Sequence, residues 1–268
     1  MAAHSNIRFF KFSATGNDFI LIDNRERIVN ADDVEFFHQI CQRRVSVGAD
    51  GVLLIETSDE FDFSLRYFNP DGSAAECGNG ARSAAYFAFK TKIADSKMKF
   101  RFDEAIYEAE VKNNVVKLKL PPPRDWRDAN GILEETFLEE GGFINTGVPH
   151  FVLFGRDIDK QDIHGLGEKY RYHSRFQPAG TNVDFVEVLS PTQIKLRTYE
   201  RGVEKETLSC GTGCVASAVV AHRKKGTRFA TEVVTPGGIL RVSQDGENGP
   251  AYLEGEVKLV YEGKLITP

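Results

Sequence analysis

Short runs of apolar, β-branched and aromatic residues recur along the whole chain, separated by glycine, proline, asparagine and charged residues. Runs of this length and composition predict β-strands. In the first half the predicted strands are Ile7 to Phe12, Phe19 to Asp23, Val52 to Glu56, Phe61 to Tyr67, Met98 to Phe102, Ile106 to Val111 and Val115 to Leu120. In the second half they are near Phe143 and at Phe151 to Phe154, Val183 to Val188, Ile194 to Glu200, Thr231 to Thr235, Ile239 to Val242 and Ala251 to Tyr261.

One strongly apolar segment in each half interrupts this strand pattern. Ala81 to Lys90 and Cys214 to Lys225 predict helices, and a third helix is predicted at Asp32 to Arg43. A helix that is apolar on most faces needs cover on most faces, which a sheet can supply. The pattern predicts an α+β fold of two pseudo-symmetric domains, with the active site in the interdomain cleft. Each domain is expected to be a mixed or antiparallel, β-barrel-like sheet wrapped round its central apolar helix.

A run of three prolines indicates the domain boundary. Pro121 to Pro123 end regular strand pairing, and the polar segment Arg124 to Asn130 that follows is predicted to be a linker. We therefore predict an N-terminal domain of residues 1–122, completed by a C-terminal strand of about residues 257–268, and a C-terminal domain of residues 123–256. A chain of 268 residues can give each domain its own core.

Each predicted central helix follows a cysteine and a glycine-rich turn, ECGNG at residues 76–80 and SCGTG at residues 209–213. The first N–H groups of a helix have no partner within the helix, and they carry its positive dipole end. They can bind a carboxylate, and they can lower the pKa of a thiol placed there. The two motifs lie half a chain apart, which favours an internal duplication in which Cys77 and Cys210 face one substrate.

Composition excludes several classes of function. The formal net charge of −5 and the dispersed basic residues argue against a nucleic-acid partner. No apolar run reaches the length of a membrane span and no secretory leader is recognisable, so we expect a cytoplasmic protein that does not bind a membrane. No dinucleotide or phosphate-binding glycine motif and no pyridoxal phosphate lysine is evident, so no cofactor is expected.

Four cysteines fit that compartment as free thiols rather than as disulfides. Cys41 is interpreted as a small buried apolar residue. Cys210 and Cys214 have a spacing found among metal ligands, but the Gly-Thr-Gly between them suits anion binding better, so no metal is expected.

Seven motifs in order carry a family resemblance: FSATGNDF (residues 12–19), RVSVGADG (44–51), NPDGSAAECGNGAR (69–82), NTGVPHF (145–151), TNVDF (181–185), YERGVEKETLSCGTG (199–213) and TPGGIL (235–240). From about residue 7 to 264 the chain resembles the diaminopimelate epimerases. The resemblance implies a cofactor-independent isomerase of lysine and peptidoglycan precursor biosynthesis that converts LL- into meso-diaminopimelate. It also implies a homodimer, with Tyr261 at the contact between subunits.

The resemblance implies roles for particular residues. Cys77 and Cys210 would be the catalytic acid and base on opposite faces of the α-carbon, and His150 and Glu200 would adjust the pKa of the two thiols. Substrate contacts are implied for Asn17, Asn69, Gly78, Asn79, Asn182, Glu200, Arg201, Gly211 and Thr212. Val148 departs from the pattern, since many members carry asparagine there.

Simpler interpretations exist for the same residues. A lone cysteine is most often buried and inert, asparagines often occupy turns, and Glu200 with Arg201 could form a surface ion pair. Two other functions therefore stay open: a racemase of another amino acid on the same fold, and a non-catalytic amino-acid-binding protein.

Overall fold

The computed structural model describes residues 6–129 and 131–266, which form 17 β-strands and four α-helices. The strands of the first part of the chain are β1 (Ile7–Ala14), β2 (Asn17–Asp23), β3 (Gly51–Glu56), β4 (Phe63–Phe68), β5 (Lys97–Phe102), β6 (Ala105–Lys112) and β7 (Val115–Leu120). They are followed by β8 (Arg124–Asp128), β9 (Leu138–Asn145), β10 (Pro149–Gly155), β11 (Asn182–Ser190), β12 (Gln193–Glu200), β13 (Lys205–Thr207), β14 (Thr231–Thr235), β15 (Gly238–Gln244), β16 (Ala251–Glu256) and β17 (Lys258–Leu265). The helices are α1 (Val34–Cys41), α2 (Gly78–Lys90), α3 (Ile163–Arg171) and α4 (Gly211–Lys225).

The chain divides into two compact units. The first unit contains the described residues up to Leu118 together with those from Gly255 onward, and the second contains Lys119–Glu254. Strand β17 pairs antiparallel with β1, which incorporates the end of the chain into the first unit. The α+β class with two domains, predicted from the alternation of strands and helices, is confirmed.

The two units repeat one order of strand pairing. In the first unit β1–β2, β3–β4 and β5–β6 are antiparallel, whereas β2–β3 and β4–β5 are parallel. In the second unit β9–β10, β11–β12 and β14–β15 are antiparallel, whereas β10–β11 and β12–β14 are parallel. A helix lies in each parallel connection: α1 and α2 in the first unit, α3 and α4 in the second. This matching topology supports the internal duplication.

The helix that follows the motif cysteine, α2 in the first unit and α4 in the second, is the most buried helix of its unit. Helix α2 packs on β1, β2, β3, β4 and β6, and helix α4 packs on β9, β10, β11, β12, β14 and β15. Phe10 and Phe12 of β1 meet Phe87 of α2, with ring centroids 4.7 and 6.2 Å apart. Burying one such aromatic ring contributes about 2–3 kcal/mol. Closure of either sheet into a barrel stays a prediction.

The structure corrects three predicted segments. The predicted linker is wrong for Arg124–Asp128, because these residues form β8, which pairs with β9 and places the Arg127 guanidinium 4.3 Å from the Phe143 ring centroid. Helix α1 is shorter than predicted, because the Asp33 side chain caps it by accepting from the Phe36 amide. The one strand predicted at Ala251 to Tyr261 is in fact two strands, β16 and β17. Asn130 of the predicted linker, and residues 1–5 and 267–268 of the predicted N-terminal domain, lie outside the described residues.

Candidate active site

Cys77 is the N-cap residue of helix α2. Its backbone is extended, with φ −140° and ψ 116°, and the helix starts at Gly78. The Gly80 amide donates to Cys77 Sγ at 3.4 Å. A Cβ atom at Gly80 would lie 3.0 Å from Leu53 and 3.5 Å from the Cys77 Cβ, so glycine lets the first turn approach both β3 and the thiol. The predicted position of this cysteine at a helix N-terminus is confirmed.

Asparagine side chains connect the start of α2 to the β1–β2 hairpin. Asn79 Nδ2 donates to Asn17 Oδ1 at 2.7 Å, and Asn17 Nδ2 donates to Asp50 Oδ2 at 3.1 Å. Arg82, one turn further along the helix, donates to Asn79 Oδ1 at 2.7 Å. The structure therefore brings Cys77, Gly78, Asn79 and Asn17 together in the first unit.

A tyrosine that the sequence reasoning missed lies beside this thiol. The Tyr107 hydroxyl of β6 donates to Glu76 Oε2 at 2.8 Å, and Glu76 directly precedes Cys77. Burial and then the charge of Glu76 raise the pKa of Tyr107, with a smaller effect from Cys77. The hydroxyl therefore stays protonated and holds the Glu76 side chain next to the cysteine.

Cys210 occupies the equivalent N-cap position of helix α4. It is 7% exposed, and its Sγ lies 3.4 Å from Thr212 Oγ1. Gly226 ends the helix at φ 66°, a left-handed conformation that glycine adopts at little cost. Each unit thus presents one thiol at the first turn of a mostly buried helix, beside N–H groups that can bind an anion.

The pKa expected for Cys210 from its helix position is wrong. Burial raises the pKa of this thiol well above its ordinary value, and the nearby Glu200 and Asp184 carboxylates raise it further. The Thr212 hydroxyl and the Gly213 amide act in the opposite direction, but more weakly. Desolvation of a thiolate therefore outweighs the helix N-terminus here, and Cys210 keeps its proton at neutral pH.

Glu200 lies close to the same thiol at the end of β12. Its carboxylate accepts a hydrogen bond from the Thr207 hydroxyl of β13. Burial raises the pKa of Glu200, and Asp184 raises it as well. The Thr207 hydroxyl, His150 and Cys210 lower it in part. Glu200 thus interacts with both His150 and Cys210.

His150 is completely buried between a carboxylate and a hydroxyl. Its Nδ1 lies 2.7 Å from Asp184 Oδ2, and its Nε2 lies 3.0 Å from Thr212 Oγ1. The sequence reasoning selected His150 and Thr212 but missed Asp184. The available signal was the pair of charged residues, Asp184 and Glu187, within the otherwise apolar predicted strand Val183 to Val188.

The remaining predicted substrate contacts have partners within the protein. Asn182 is 4% exposed; its Nδ2 donates to the Pro149 carbonyl at 3.0 Å, and its Oδ1 accepts from the Arg201 amide at 2.8 Å. Arg201 Nη1 donates to the Ala179 carbonyl at 3.1 Å. Asn69 lies in a turn, where its Nδ2 donates to Ser73 Oγ at 3.0 Å. These contacts define side-chain positions and do not assign substrate roles.

The other two cysteines lie apart from this chemistry. Burial raises the pKa of Cys41 to about 12, and Cys214 is buried within α4. No cluster of three or more histidine, cysteine or acidic residues suited to a metal ion occurs within residues 6–129 and 131–266. Over the same ranges no helix has the length and apolar character to cross a membrane.

Solved structures define the class of fold. A Bacillus anthracis phenazine biosynthesis protein of the PhzF family superimposes with a TM-score of 0.77 at 16% identity, covering 98% of this chain and 100% of that chain. A hydroxyproline epimerase from Agrobacterium vitis gives a TM-score of 0.70 at 13% identity, with 97% and 90% covered. The protein therefore has the two-domain α+β fold of these structures.

Sequence relatives identify the family within this fold class. Residues 9–121 and 142–260 match the family described as diaminopimelate epimerase. A diaminopimelate epimerase of Aquifex aeolicus (strain VF5) is 41% identical over 280 residues, covering 97% of this chain and 98% of the relative. The chain belongs to the diaminopimelate epimerase family. It is therefore an isomerase of the racemase and epimerase type that acts on amino acids.

Proposed function

We propose that this protein interconverts LL- and meso-diaminopimelate, with Cys77 and Cys210 as the two proton carriers. The observation that carries the proposal is the matched N-cap position of one cysteine in each unit. Inverting an α-carbon requires a base that removes a proton from one face and an acid that delivers a proton to the other. Two thiols on opposite faces of one substrate meet that requirement without a cofactor.

The two thiols have different surroundings, which suggests how the roles divide in the free enzyme. Cys210 is buried beside two carboxylates that favour its protonated form, so it serves as the acid. Cys77, which is half-buried and accepts a hydrogen bond from the Gly80 amide, serves as the base. The roles exchange in the reverse direction, and Glu200 and His150 adjust the thiols in both.

Helix N–H groups supply the electrostatic part of the mechanism. Removal of the α-proton places negative charge on the substrate carboxylate. The first amides of α2 and α4, from Gly78, Asn79, Gly211 and Thr212, are proposed to donate to that charge. A single donor of this kind contributes roughly 10²–10³-fold in rate.

Recognition of the distal, non-reacting end is proposed for Asn69, Asn182 and Arg201, and further substrate contacts are proposed for Asn17 and Glu200. A site that must hydrogen-bond a second amino-acid group rejects substrates without that group by roughly 10⁴-fold. Val148 contributes no side-chain amide to this recognition. The proposed activity places the protein in lysine and peptidoglycan precursor biosynthesis in the cytoplasm.

Hydrogen exchange with solvent tests the activity directly. Reduced protein incubated with LL-diaminopimelate in D₂O is expected to replace the α-proton with deuterium while meso product forms, both followed by proton NMR. Proline and other single-ended amino acids serve as comparison substrates. Binding without exchange would favour the amino-acid-binding alternative, and exchange restricted to a single-ended amino acid would favour another racemase.

A homodimer is proposed through strand β17. Leu259, Val260 and Tyr261 are 44%, 57% and 44% exposed on this strand, an apolar surface that a second copy of the chain could cover. We expect Val260→Asp to shift the protein to monomers in sedimentation velocity. Ile106→Asp is the control, since Ile106 is 60% exposed on β6 of the same unit and should leave the dimer intact. A dimer that survives Val260→Asp would contradict this interface.

A further inference from the structure

The fully buried carboxylate of Asp184 lies near the Cys210 thiol. The side chains of Asp184 and His150 are both 0% exposed. Two protein groups meet the carboxylate: His150 Nδ1 lies 2.7 Å from Oδ2, and Thr198 Oγ1 donates to Oδ1 at 2.7 Å. A buried carboxylate is costly unless such partners compensate for lost hydration, so an aspartate at this position needs a physical reason.

Strand register and a glycine fix the position of this carboxylate. Asp184 of β11 pairs with Thr198 of the antiparallel β12 and with Val152 of the parallel β10, two residues beyond His150. Alternate residues share one face of a strand, so His150 and Asp184 become diagonal neighbours. A Cβ on Gly213 would lie 2.7 Å from Asp184 Oδ1. Only glycine lets the first turn of α4 approach the carboxylate this closely.

The hydrogen-bond inventory sets the direction of each bond. An ionised carboxylate only accepts, so His150 Nδ1 carries the proton that points to Asp184. In a neutral imidazole Nε2 then has the free lone pair and accepts from the Thr212 hydroxyl. Thr212 has no second proton, so in its contact with the Cys210 thiol, 3.4 Å away, its oxygen can only accept. Glu200 is the other acceptor beside that thiol. The bonds run in one direction: Cys210 to Thr212 to His150 to Asp184.

We propose that Asp184 is a positioning residue that fixes the His150 tautomer, and that Thr212 couples His150 to Cys210. When the thiol ionises, its proton passes to Thr212 Oγ1 while the Thr212 hydroxyl proton passes to His150 Nε2. One S–H and one O–H bond break as one O–H and one N–H bond form, and the charges become thiolate and imidazolium. Asp184 stabilises that imidazolium, so the buried thiol can become a base without losing its proton to water.

The titratable groups that act on Cys210 from the neighbouring strands are Asp184 on β11 and Glu200 on β12, and His150 on β10 contacts Asp184. Glu200 interacts with both His150 and Cys210, so it takes part in the same equilibrium. The importance of the coupling for turnover rests on the proposed function. The His150 tautomer does not depend on the proposed function, because the tautomer is a property of the folded protein without substrate.

Imidazole nitrogen NMR tests the tautomer without turnover. In protein labelled with ¹⁵N-histidine, spectra near pH 9 are expected to show His150 protonated at Nδ1 and unprotonated at Nε2, its signals assigned by their loss in His150→Gln. In Asp184→Asn, the amide oxygen should remain toward Thr198 and the start of α4. Its NH₂ then faces Nδ1, and the tautomer should reverse. A wild-type His150 protonated at Nε2 would overturn the proposal, whether or not any variant folds.

Activity variants test the coupling. Asp184→Asn is expected to lower kcat by roughly 10²–10⁴-fold, the usual contribution of a positioned acid–base group. Thr212→Val should lower kcat while leaving the His150 tautomer unchanged, and Thr212→Ser, which keeps the hydroxyl, should restore most of the rate. A merely structural Asp184 would instead give reduced stability with an unchanged tautomer and kcat.

Equal rates for Thr212→Val and Thr212→Ser would show that the Thr212 hydroxyl takes no part in the hydrogen-bond relay from Cys210 to Asp184. If wild-type protein shows the expected tautomer but no α-proton exchange, the proposed function fails and the tautomer assignment stands.

Discussion

Replacing either Cys77 or Cys210 with alanine is expected to abolish epimerisation, with a loss of roughly 10⁴-fold or more. Inversion consists of two proton transfers on opposite faces, so one remaining thiol cannot complete it. Each variant should fold, because alanine fills an N-cap position at a cost of about 1 kcal/mol and creates no large cavity. Conversion of LL- to meso-diaminopimelate, followed by chiral chromatography, measures the effect, and far-UV circular dichroism checks the fold.

Cys214→Ala is the matched control. Cys214 lies one turn after Cys210 on the same helix and is fully buried, yet it belongs to neither thiol site. Its replacement should keep most of the activity and cost only the packing of one sulfur atom. Near-wild-type turnover in Cys77→Ala or Cys210→Ala would refute the two-thiol mechanism, and equal losses in Cys214→Ala would show that the assay reports stability.

The positions of both thiols follow from local sequence. A cysteine, two glycines and a long apolar run specify an N-cap and the first turn of a buried helix, and α2 and α4 start where that pattern places them. A strand against which α2 packs was predicted from composition in the same way, since Val52 to Ile55 form a continuous apolar run and all four are buried in β3.

Elements stabilised by tertiary contacts were not predictable in this way. Helix α3 contains Gly165 and Gly167, which weaken a helix in isolation. Gly167 packs directly against the Tyr199 side chain, where a Cβ would clash, so the glycine serves packing rather than helix formation. Strand β8, RDWRD, is polar and forms because β9 offers it a pairing edge. Propensity gives no account of either element.

The chemistry at Cys210 shows the same limit. A helix N-terminus is visible in the sequence and lowers the pKa of a thiol. The carboxylates of Asp184 and Glu200 reach that thiol from β11 and β12, and their opposite effect depends on strand register and burial. Because desolvation and these charges dominate, the position of the thiol was predictable from the sequence, whereas the direction of its pKa shift was not.

Replacing Arg82 with alanine is expected to destabilise the first unit by about 3–5 kcal/mol. Arg82 is the largest fully buried side chain and lies on α2, one turn after the active-site amides. Its guanidinium donates to Asn79 Oδ1 at 2.7 Å, to Thr15 Oγ1 at 3.0 Å and to the Glu256 carbonyl at 3.2 Å. Alanine would leave a cavity, and these three acceptors would lose a donor in the interior, where that loss is most costly.

Arg101→Ala tests whether this effect comes from burial rather than from loss of an arginine. Arg101 belongs to the same unit, is 46% exposed along its side chain and forms a surface ion pair with Glu60 at 2.9 Å. Exposed pairs of this kind contribute about 0–1 kcal/mol. Urea denaturation should therefore give a much lower midpoint for Arg82→Ala than for Arg101→Ala.

Because Arg82 also orients Asn79, Arg82→Lys should recover part of the stability but less of the activity, since an ammonium cannot span all three acceptors. Equal midpoints for the two alanine variants would mean that the buried guanidinium does not hold the returning C-terminal segment against α2.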